Sequence, residues 1–318
     1  MKLLRTGFAI LFLSISVRAP TQNRPPVIDV HLHAQEAPLS YPICAGVGVA
    51  EVTQMDGTPM CKSPLRPSAT RSAQRQETLA AMRKYNITGV ISTENQAIFD
   101  EWKKEAPERV ISAFQTNAKD TDLALLRQLV VAGQVQVIGE VTSQYAKLAP
   151  NDPALDPLYA LAQELDVPLG IHVAGIGAGT PGFRAALGDP LLLEEIPLKY
   201  PRLRLYVMHA GYPFGDRMIS LLRRHPQVYV DISLIDWQVA RSEFHTYLKR
   251  LVDNGFGKRI MFGTDQVSWP AAIGIAITNI ESAAFLSKSQ KRDILYNNAA
   301  RFLRFEKLAR RVLRLGTN

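Results

Sequence analysis

Short runs rich in β-branched residues alternate along this chain with longer stretches in which apolar residues recur every three or four positions. The short runs are typical of buried strands and the longer stretches of amphipathic helices. The runs fall at residues 27–32, 87–92, 110–114, 135–141, 168–173, 203–208, 228–232 and 259–262, with clear helical patterns at 76–85, 123–131, 158–165 and 217–224. Eight strand–helix units predict an α/β fold, a single-domain (β/α)8 TIM barrel, which typically takes about 250 residues.

The alternative fold is a doubly wound open sheet. That fold normally carries a Gly-rich phosphate-binding loop after its first strand, whereas this chain has His31-Leu32-His33 at that point. The longest connection, residues 34–68, follows the same strand and is rich in Gly and Pro. Because loops at this end of a barrel carry function, we expect a lid or specificity loop there, with irregular surface filler as the alternative.

The N-terminus predicts a secretory signal peptide over residues 1–19, followed by the barrel domain over 20–318. Lys2 and Arg5 precede an apolar stretch at 7–17, and small residues near Ala19 fit a cleavage site. An uncleaved anchor is the alternative, although the stretch is shorter than an ordinary transmembrane helix. The mature chain is thus expected to be periplasmic or secreted, with no membrane contact after cleavage.

Composition excludes several classes of protein. With 47% apolar residues and 20 Gly and 20 Pro among 318 positions, the chain is neither disordered nor collagen-like. Two cysteines exclude a zinc ribbon and an iron–sulfur protein. In an oxidising compartment Cys44 and Cys61 can close a short loop, but whether they pair is left open by the sequence.

The charge excess lies largely near the C-terminus. The formal net charge of +8 falls to +5 when the three basic residues of the leader are removed. Arg304, Lys307 and Arg311 are spaced three or four apart, which on a helix forms one face. We expect a solvated face and no nucleic-acid partner, with an anion-binding patch as the alternative; a homo-oligomer is also compatible with the sequence.

Four of the six histidines stand at the ends of predicted strands, where a barrel builds its site. His31 and His33 end strand one, His172 ends strand five and His209 ends strand six. Residues two apart on a strand share a face about 6.5 Å apart, so His31 and His33 can converge on one metal with bonds of about 2.1 Å. Each histidine alone would more often be a hydrogen-bonded core residue, but their shared position favours metal ligands.

Two carboxylates extend this candidate site. Asp265 ends strand eight, and an unpaired carboxylate in a barrel mouth is costly, so a cation is its natural partner. Glu140 ends strand four and either bridges two metals or accepts a hydrogen bond from a ligand imidazole. Asp29 shares a face with the first two histidines and either fixes an imidazole tautomer or bonds to backbone.

Other residues have weaker claims. His225 and His245 are expected at the surface. Three aromatic residues after strands six to eight could line a pocket, although such residues more often pack within loops: Tyr212, Trp237 and Trp269. Arg66 or Arg184 could bind a substrate carboxylate, although such charges are more often solvated.

The order of these residues, with two histidines on strand one, one each on strands five and six and an aspartate on strand eight, resembles the amidohydrolase superfamily. VIDVHLH (27–33), MFGTD (261–265) and NNAARFL (297–303) are similar to motifs of its amidohydrolase-related branch. That branch includes hydrolases, lactonases and metal-dependent decarboxylases such as aminocarboxymuconate-semialdehyde decarboxylase. The resemblance covers about residues 27–303.

The resemblance implies a site for one divalent ion or two, with Zn favoured and Mn, Co or Fe as alternatives. For one ion, the implied ligands are His31, His33 and His172, with Asp265 as ligand and proton shuttle and His209 free for acid–base work. Decarboxylases of this branch usually have no acidic ligand on strand four, whereas the Gly-Glu here is similar to that of TatD-type DNases. For two ions, His172 and His209 would hold the second, bridged by Glu140.

The expected function is metal-dependent hydrolysis of an amide, lactone or ester of a small-molecule substrate, in which the ion lowers the pKa of bound water to about 7. The alternative is non-oxidative decarboxylation of an aromatic or unsaturated acid through the same site. A TatD-like phosphodiesterase and a non-catalytic binding barrel are further alternatives.

Overall fold

A computed structural model gives the fold of the chain and describes residues 24–48, 58–177 and 183–305. Eight strands form one sheet in which every strand pairs in parallel with its neighbour in the sequence, in the order β1 to β8. This order confirms the predicted barrel and excludes the doubly wound sheet, whose strand order reverses at a switch point. The predicted leader and the basic residues Lys307 and Arg311 lie outside the described residues.

The strands β1 to β8 are Val27–His33, Ile87–Thr93, Val110–Thr116, Val137–Val141, Leu169–His172, Leu205–Met208, Tyr229–Asp231 and Ile260–Met261. In the described part of the chain the α-helices, α1 to α10, are Arg71–Tyr85, Gln96–Glu105, Leu123–Val131, Asp156–Glu164, Glu195–Lys199, Gly215–Arg224, Arg241–Leu251, Ala272–Glu281, Lys288–Arg292 and Asn298–Leu303. The last five strands are shorter than predicted. None of the helices over these residues has both the length and the apolar character that a membrane crossing requires.

The barrel closes between β1 and the chain that follows β8. Val30 N–H donates to the carbonyl of Phe262, and Asp265 N–H donates to the carbonyl of His31. The carboxylate of Asp29 accepts hydrogen bonds from Thr264 N–H and its hydroxyl. These bonds form a seam at the carboxyl ends of the strands, the end at which β1 delivers its two histidines.

Two apolar clusters hold the barrel together. The larger lies between the sheet and the surrounding helices, and the smaller fills the barrel interior with residues such as Ile28, Val90 and Tyr206. Helix α10 packs Phe302 and Leu303 into the interior cluster. The register of β1 shifts between Asp29 and Leu32. Strict alternation along the strand predicts that Val30 and Leu32 share a face, and this prediction is wrong. Val30 belongs to the interior cluster and Leu32 to the outer one.

The 34–68 connection packs on the loops after β7 and β8. Cys44 and Cys61 form a disulfide with their Cα atoms 5.9 Å apart, which settles the pairing that the sequence left open. Ile43 bridges Leu65 in antiparallel fashion, and the indole N–H of Trp269 donates to the carbonyl of Tyr41. The described part of this connection therefore lies at the carboxyl end of the barrel; residues 49–57 are outside the described residues.

Candidate metal centre

The structure brings the six predicted site residues together in the mouth of the barrel. His31 and His33 end β1, and His172 ends β5. Glu140 lies on β4, His209 follows β6 directly, and Asp265 lies on the segment after β8. Their potential ligand atoms form two groups that share Glu140: one with His31, His33 and Asp265, and one with His172 and His209.

Two of these residues have an unusual backbone conformation. His209 has φ 58° and Asp265 has φ 50°, in the left-handed region that non-glycine residues adopt at a cost of about 1–2 kcal/mol. Their backbone N–H groups are held by the carboxylate of Asp231 and the carbonyl of His31, respectively. The surrounding hydrogen bonds thus impose a conformation that turns both side chains into the mouth, as is common at functional sites.

In the first group, four ligand atoms face one another. The Nε2 atoms of His31 and His33 are 3.1 Å apart, and Asp265 Oδ1 lies 3.5 and 3.0 Å from them. Glu140 Oε2 lies 3.6 and 3.5 Å from the same two nitrogens. Tetrahedral ligands at about 2.1 Å from one zinc ion are roughly 3.4 Å apart, so the separations suit a single ion.

The remaining ring nitrogens fix the tautomers in this group. His31 Nδ1 lies 2.8 Å from Ser233 Oγ and 3.2 Å from Asp231 Oδ2. Ser233 Oγ donates to Asp231 Oδ1 and so accepts from the imidazole. His33 Nδ1 lies 3.1 Å from Gln115 Oε1, also an acceptor. Both Nδ1 atoms therefore carry the proton, and both Nε2 atoms present lone pairs.

The first group thus places four acceptor atoms together with no donor among them, which fits a cation. Electrostatics agree. Burial works against a charge on His31, but the carboxylates of Asp265, Asp231 and Glu140 outweigh it and raise its pKa well above the ordinary range. The surroundings therefore favour a positive charge at this point, which a metal ion would supply in place of a proton. Burial would raise the pKa of Glu140, but its neighbours His172, His209 and His31 hold this pKa well below the ordinary range.

The second group is satisfied by one proton. His172 Nδ1 lies 2.7 Å from Glu140 Oε1 and 3.0 Å from His209 Nε2. His209 Nδ1 faces the backbone carbonyl of Ser233 at 3.1 Å, so its Nε2 presents a lone pair. A proton on His172 Nδ1 therefore serves both neighbours. Glu140 directs one oxygen to each group, which is compatible with both roles that the sequence leaves open.

Sequence reasoning missed Asp231 and Ser233, which orient the imidazoles. Asp231 Oδ1 accepts from the backbone N–H of His209 at 2.9 Å, while Oδ2 faces His31 Nδ1. The signal was an acidic residue at the end of strand seven, the kind of position that the other site residues occupy. Asp29 instead accepts from backbone N–H groups and from Thr264, so the backbone-bonding alternative for Asp29 is the observed one.

The remaining candidates lie outside both groups. His225 is only 2% exposed, so the prediction of a surface position is wrong: it closes α6 where the chain turns inward before β7. His245 is half-buried and its Nε2 pairs with the carbonyl of Asn279. Trp237 is buried and donates to the carbonyl of Thr264. Arg66 and Arg184 are exposed.

A cavity of 340 Å³ lies beside His33, at the carboxyl ends of β1 to β3. It is lined by polar and acidic residues and two apolar ones: Ala34, Gln35, Glu36, Thr93, Glu94, Asn95, Ile98 and Gln115. Gln115 also contacts His33 Nδ1, so the cavity adjoins the first group. Glu36 is partly compensated by Arg71 at 3.6 Å, whereas Glu94 is exposed.

The sequence model of a family described as amidohydrolase matches residues 28–305. The chain belongs to the amidohydrolase family. The resemblance drawn from the sequence motifs is thereby confirmed, and this amidohydrolase is an enzyme of a superfamily whose members depend on metal. A search of curated proteins found no match.

Solved structures share the fold of this amidohydrolase. An uncharacterised TIM-barrel protein from Bordetella bronchiseptica has a TM-score of 0.64 at 16% identity, covering 90% of this chain and 99% of the other. A probable 2-pyrone-4,6-dicarboxylic acid hydrolase from Acinetobacter baumannii scores 0.59 at 15% identity, covering 88% and 100%. A 5-carboxyvanillate decarboxylase from Sphingomonas paucimobilis scores 0.53 at 15% identity, covering 71% and 82%. Both hydrolases and decarboxylases thus share this barrel.

Proposed function

We propose that this amidohydrolase hydrolyses an amide, lactone or ester of a small molecule at a divalent ion. The ion would be held by His31, His33, Glu140 and Asp265. The observation that carries the proposal is the meeting of four acceptor atoms with no donor between them. Imidazole and carboxylate ligands suit Zn, with Mn, Co and Fe compatible with the same donors.

A divalent ion at this position would supply Lewis-acid chemistry, lowering the pKa of bound water to about 7 and polarising a carbonyl. The protein's own contribution is proton transfer and orientation. Asp265 has the most exposed side chain of the four, at 12%, against 0–8% for the others. It is therefore placed to take a proton from the attacking water and pass it to the leaving nitrogen or oxygen.

A second ion would use Glu140, His172 and His209. Because one proton on His172 Nδ1 already satisfies these atoms, a second ion would have to displace that proton. We therefore assign the required ion to the first group, and His209 and His172 to acid–base or substrate contacts when a single ion is present.

The cavity beside His33 would receive the rest of the substrate. Its glutamates and amides favour groups that donate hydrogen bonds, such as hydroxyls or amines, and disfavour polyanions. This charge balance argues against the phosphodiesterase alternative, because nucleic-acid binding depends on Lys and Arg contacts with phosphate.

A panel of amides, lactones and esters, assayed with metal content measured in the same samples, tests the proposal. His33→Ala should lose bound metal and turnover while keeping its circular-dichroism spectrum. His245→Ala, which removes an imidazole remote from both groups, should keep metal and turnover. Full turnover by metal-free protein would contradict the proposal, and release of carbon dioxide without consumption of water would identify the decarboxylase alternative instead.

A further inference from the structure

Tyr145 lies beside the candidate metal centre on a short 3₁₀ turn, Ser143–Ala146, that follows β4. Gln144 fixes this turn, because its side-chain amide donates to the carbonyls of Ala174 and Arg184 at 2.8 and 3.0 Å. The Tyr145 ring packs edge-on against His172, with ring centroids 4.9 Å apart, and against Phe183 at 5.4 Å. The position of the phenol is therefore set by packing.

The hydroxyl of Tyr145 has no hydrogen-bond partner among the residues that the structure describes. By contrast, the buried hydroxyls of Tyr159 and Tyr247 donate to backbone carbonyls at 2.6 and 2.8 Å, as tyrosines normally do when buried. Tyr145 is half-buried against His172 of the second group, so its hydroxyl is free to donate to a bound molecule.

The rest of the centre is rich in acceptors and poor in donors. Hydrolysis of an acyl compound needs a hydrogen-bond donor next to the carbonyl oxygen, because this oxygen becomes negative in the transition state and is stabilised by preorganised donors. We propose that Tyr145 is a catalytic residue whose hydroxyl donates a hydrogen bond to this oxygen. The inference rests on the proposed hydrolase function.

In this reaction the oxygen of water bonds to the carbonyl carbon, the carbonyl electron pair moves onto oxygen, and Asp265 takes the water proton. The carbonyl then re-forms, the bond to the leaving nitrogen or oxygen breaks, and that atom takes the proton from Asp265. Tyr145 keeps its own proton throughout, so its contribution is a hydrogen bond that is strongest when the oxygen is charged.

Tyr145→Phe keeps the ring contacts with His172 and Phe183 and removes only the hydroxyl. We expect kcat to fall about 10²- to 10³-fold, the usual effect of losing one such donor, with KM within about threefold and metal content unchanged. Tyr229→Phe is the matched control: Tyr229 begins β7, at the opposite end of the barrel, and packs on Phe302. That variant should keep the wild-type kcat.

A second measurement does not depend on turnover. Methylphosphonate, a tetrahedral anion, is titrated into metal-loaded wild type and Tyr145→Phe by calorimetry, and the variant should bind at least about tenfold more weakly. If no acyl compound is turned over, the proposed function fails, yet a tenfold loss still supports the donor role of Tyr145. Four results would each overturn the inference. They are an unchanged kcat in Tyr145→Phe, equal phosphonate binding by the two proteins, no phosphonate binding by the wild type, and a loss of activity that follows loss of metal.

Discussion

Replacing Asp231 by asparagine would test the tautomer assigned to His31. Asparagine has the same shape, and its carbonyl can keep accepting from His209 N–H and Ser233 N–H, at 2.9 and 3.0 Å. Its NH₂ group would then stand where Oδ2 now lies, 3.2 Å from His31 Nδ1, so two donors would face each other. The imidazole can relieve this by moving its proton to Nε2, which removes the lone pair from the first group.

The expected loss of zinc affinity depends on the hydrogen bonds that His31 keeps in the variant. Ser233 Oγ still lies 2.8 Å from His31 Nδ1 as an acceptor, so part of the correct tautomer survives. We therefore expect Asp231→Asn to weaken zinc binding by about 10- to 100-fold, the usual result of removing a carboxylate behind a ligand imidazole. This corresponds to about 1.4–2.8 kcal/mol.

Competition against a chromophoric chelator measures this change. Asp236→Asn is the matched control, because Asp236 is an equally buried aspartate on the loop after the same strand and bonds to no imidazole. It should bind zinc as the wild type does. If Asp231→Asn also kept wild-type zinc affinity, the assignment of the proton to His31 Nδ1, and with it the argument for a cation, would be refuted.

Three further predictions concern stability and export. Neither carboxylate oxygen of Asp236 has a partner among the described residues, and burial, then the charge of Asp29, raises the pKa of Asp236 well above its ordinary value. The folded chain therefore keeps a proton on Asp236 that the unfolded chain releases near pH 4. Wild-type stability should consequently fall as pH rises above about 4. Asp236→Asn should reduce that slope, leaving the part due to Asp29, whose pKa burial raises to about 7. The variant should gain about 1–3 kcal/mol at pH 8 in urea unfolding, whereas parallel pH profiles would contradict the reasoning. Cys61→Ser opens a loop closed over 17 positions and should cost up to about 3 kcal/mol, with reduction of the wild type as the comparison. N-terminal sequencing of exported protein should begin near residue 20, and a start at Met1 would count against the predicted cleavage.

The strand pattern of the barrel could be predicted from β-branched runs, but strand ends could not. Strand four was predicted from residue 135, yet β4 begins at Val137. Val135 is buried because the chain turns there, with its N–H bonded to the carbonyl of Leu129 at the end of α3. Apolar character marks burial, whereas the ladder depends on where the neighbouring strand offers partners.

The clustering of the site residues could be anticipated because the carboxyl ends of parallel strands meet at one mouth. Their division into two groups depends on side-chain directions that one sequence does not encode. The roles of Asp231 and Asp29 illustrate this: both are strand aspartates, but Asp231 faces an imidazole and Asp29 faces Thr264 across the seam. Likewise, the pairing of Cys44 with Cys61 depends on a loop path that spacing alone does not determine.

The seam between β1 and the chain after β8 links folding and metal affinity. The bonds that close the cylinder, such as Asp265 N–H to the carbonyl of His31, involve residues that also supply ligand atoms on both sides of the junction. Any fluctuation that parts the two ends of the domain must separate His31 and His33 from Asp265. Opening of the cylinder would therefore release a cation held by these residues, and such a cation would strengthen the junction between the first strand and the last.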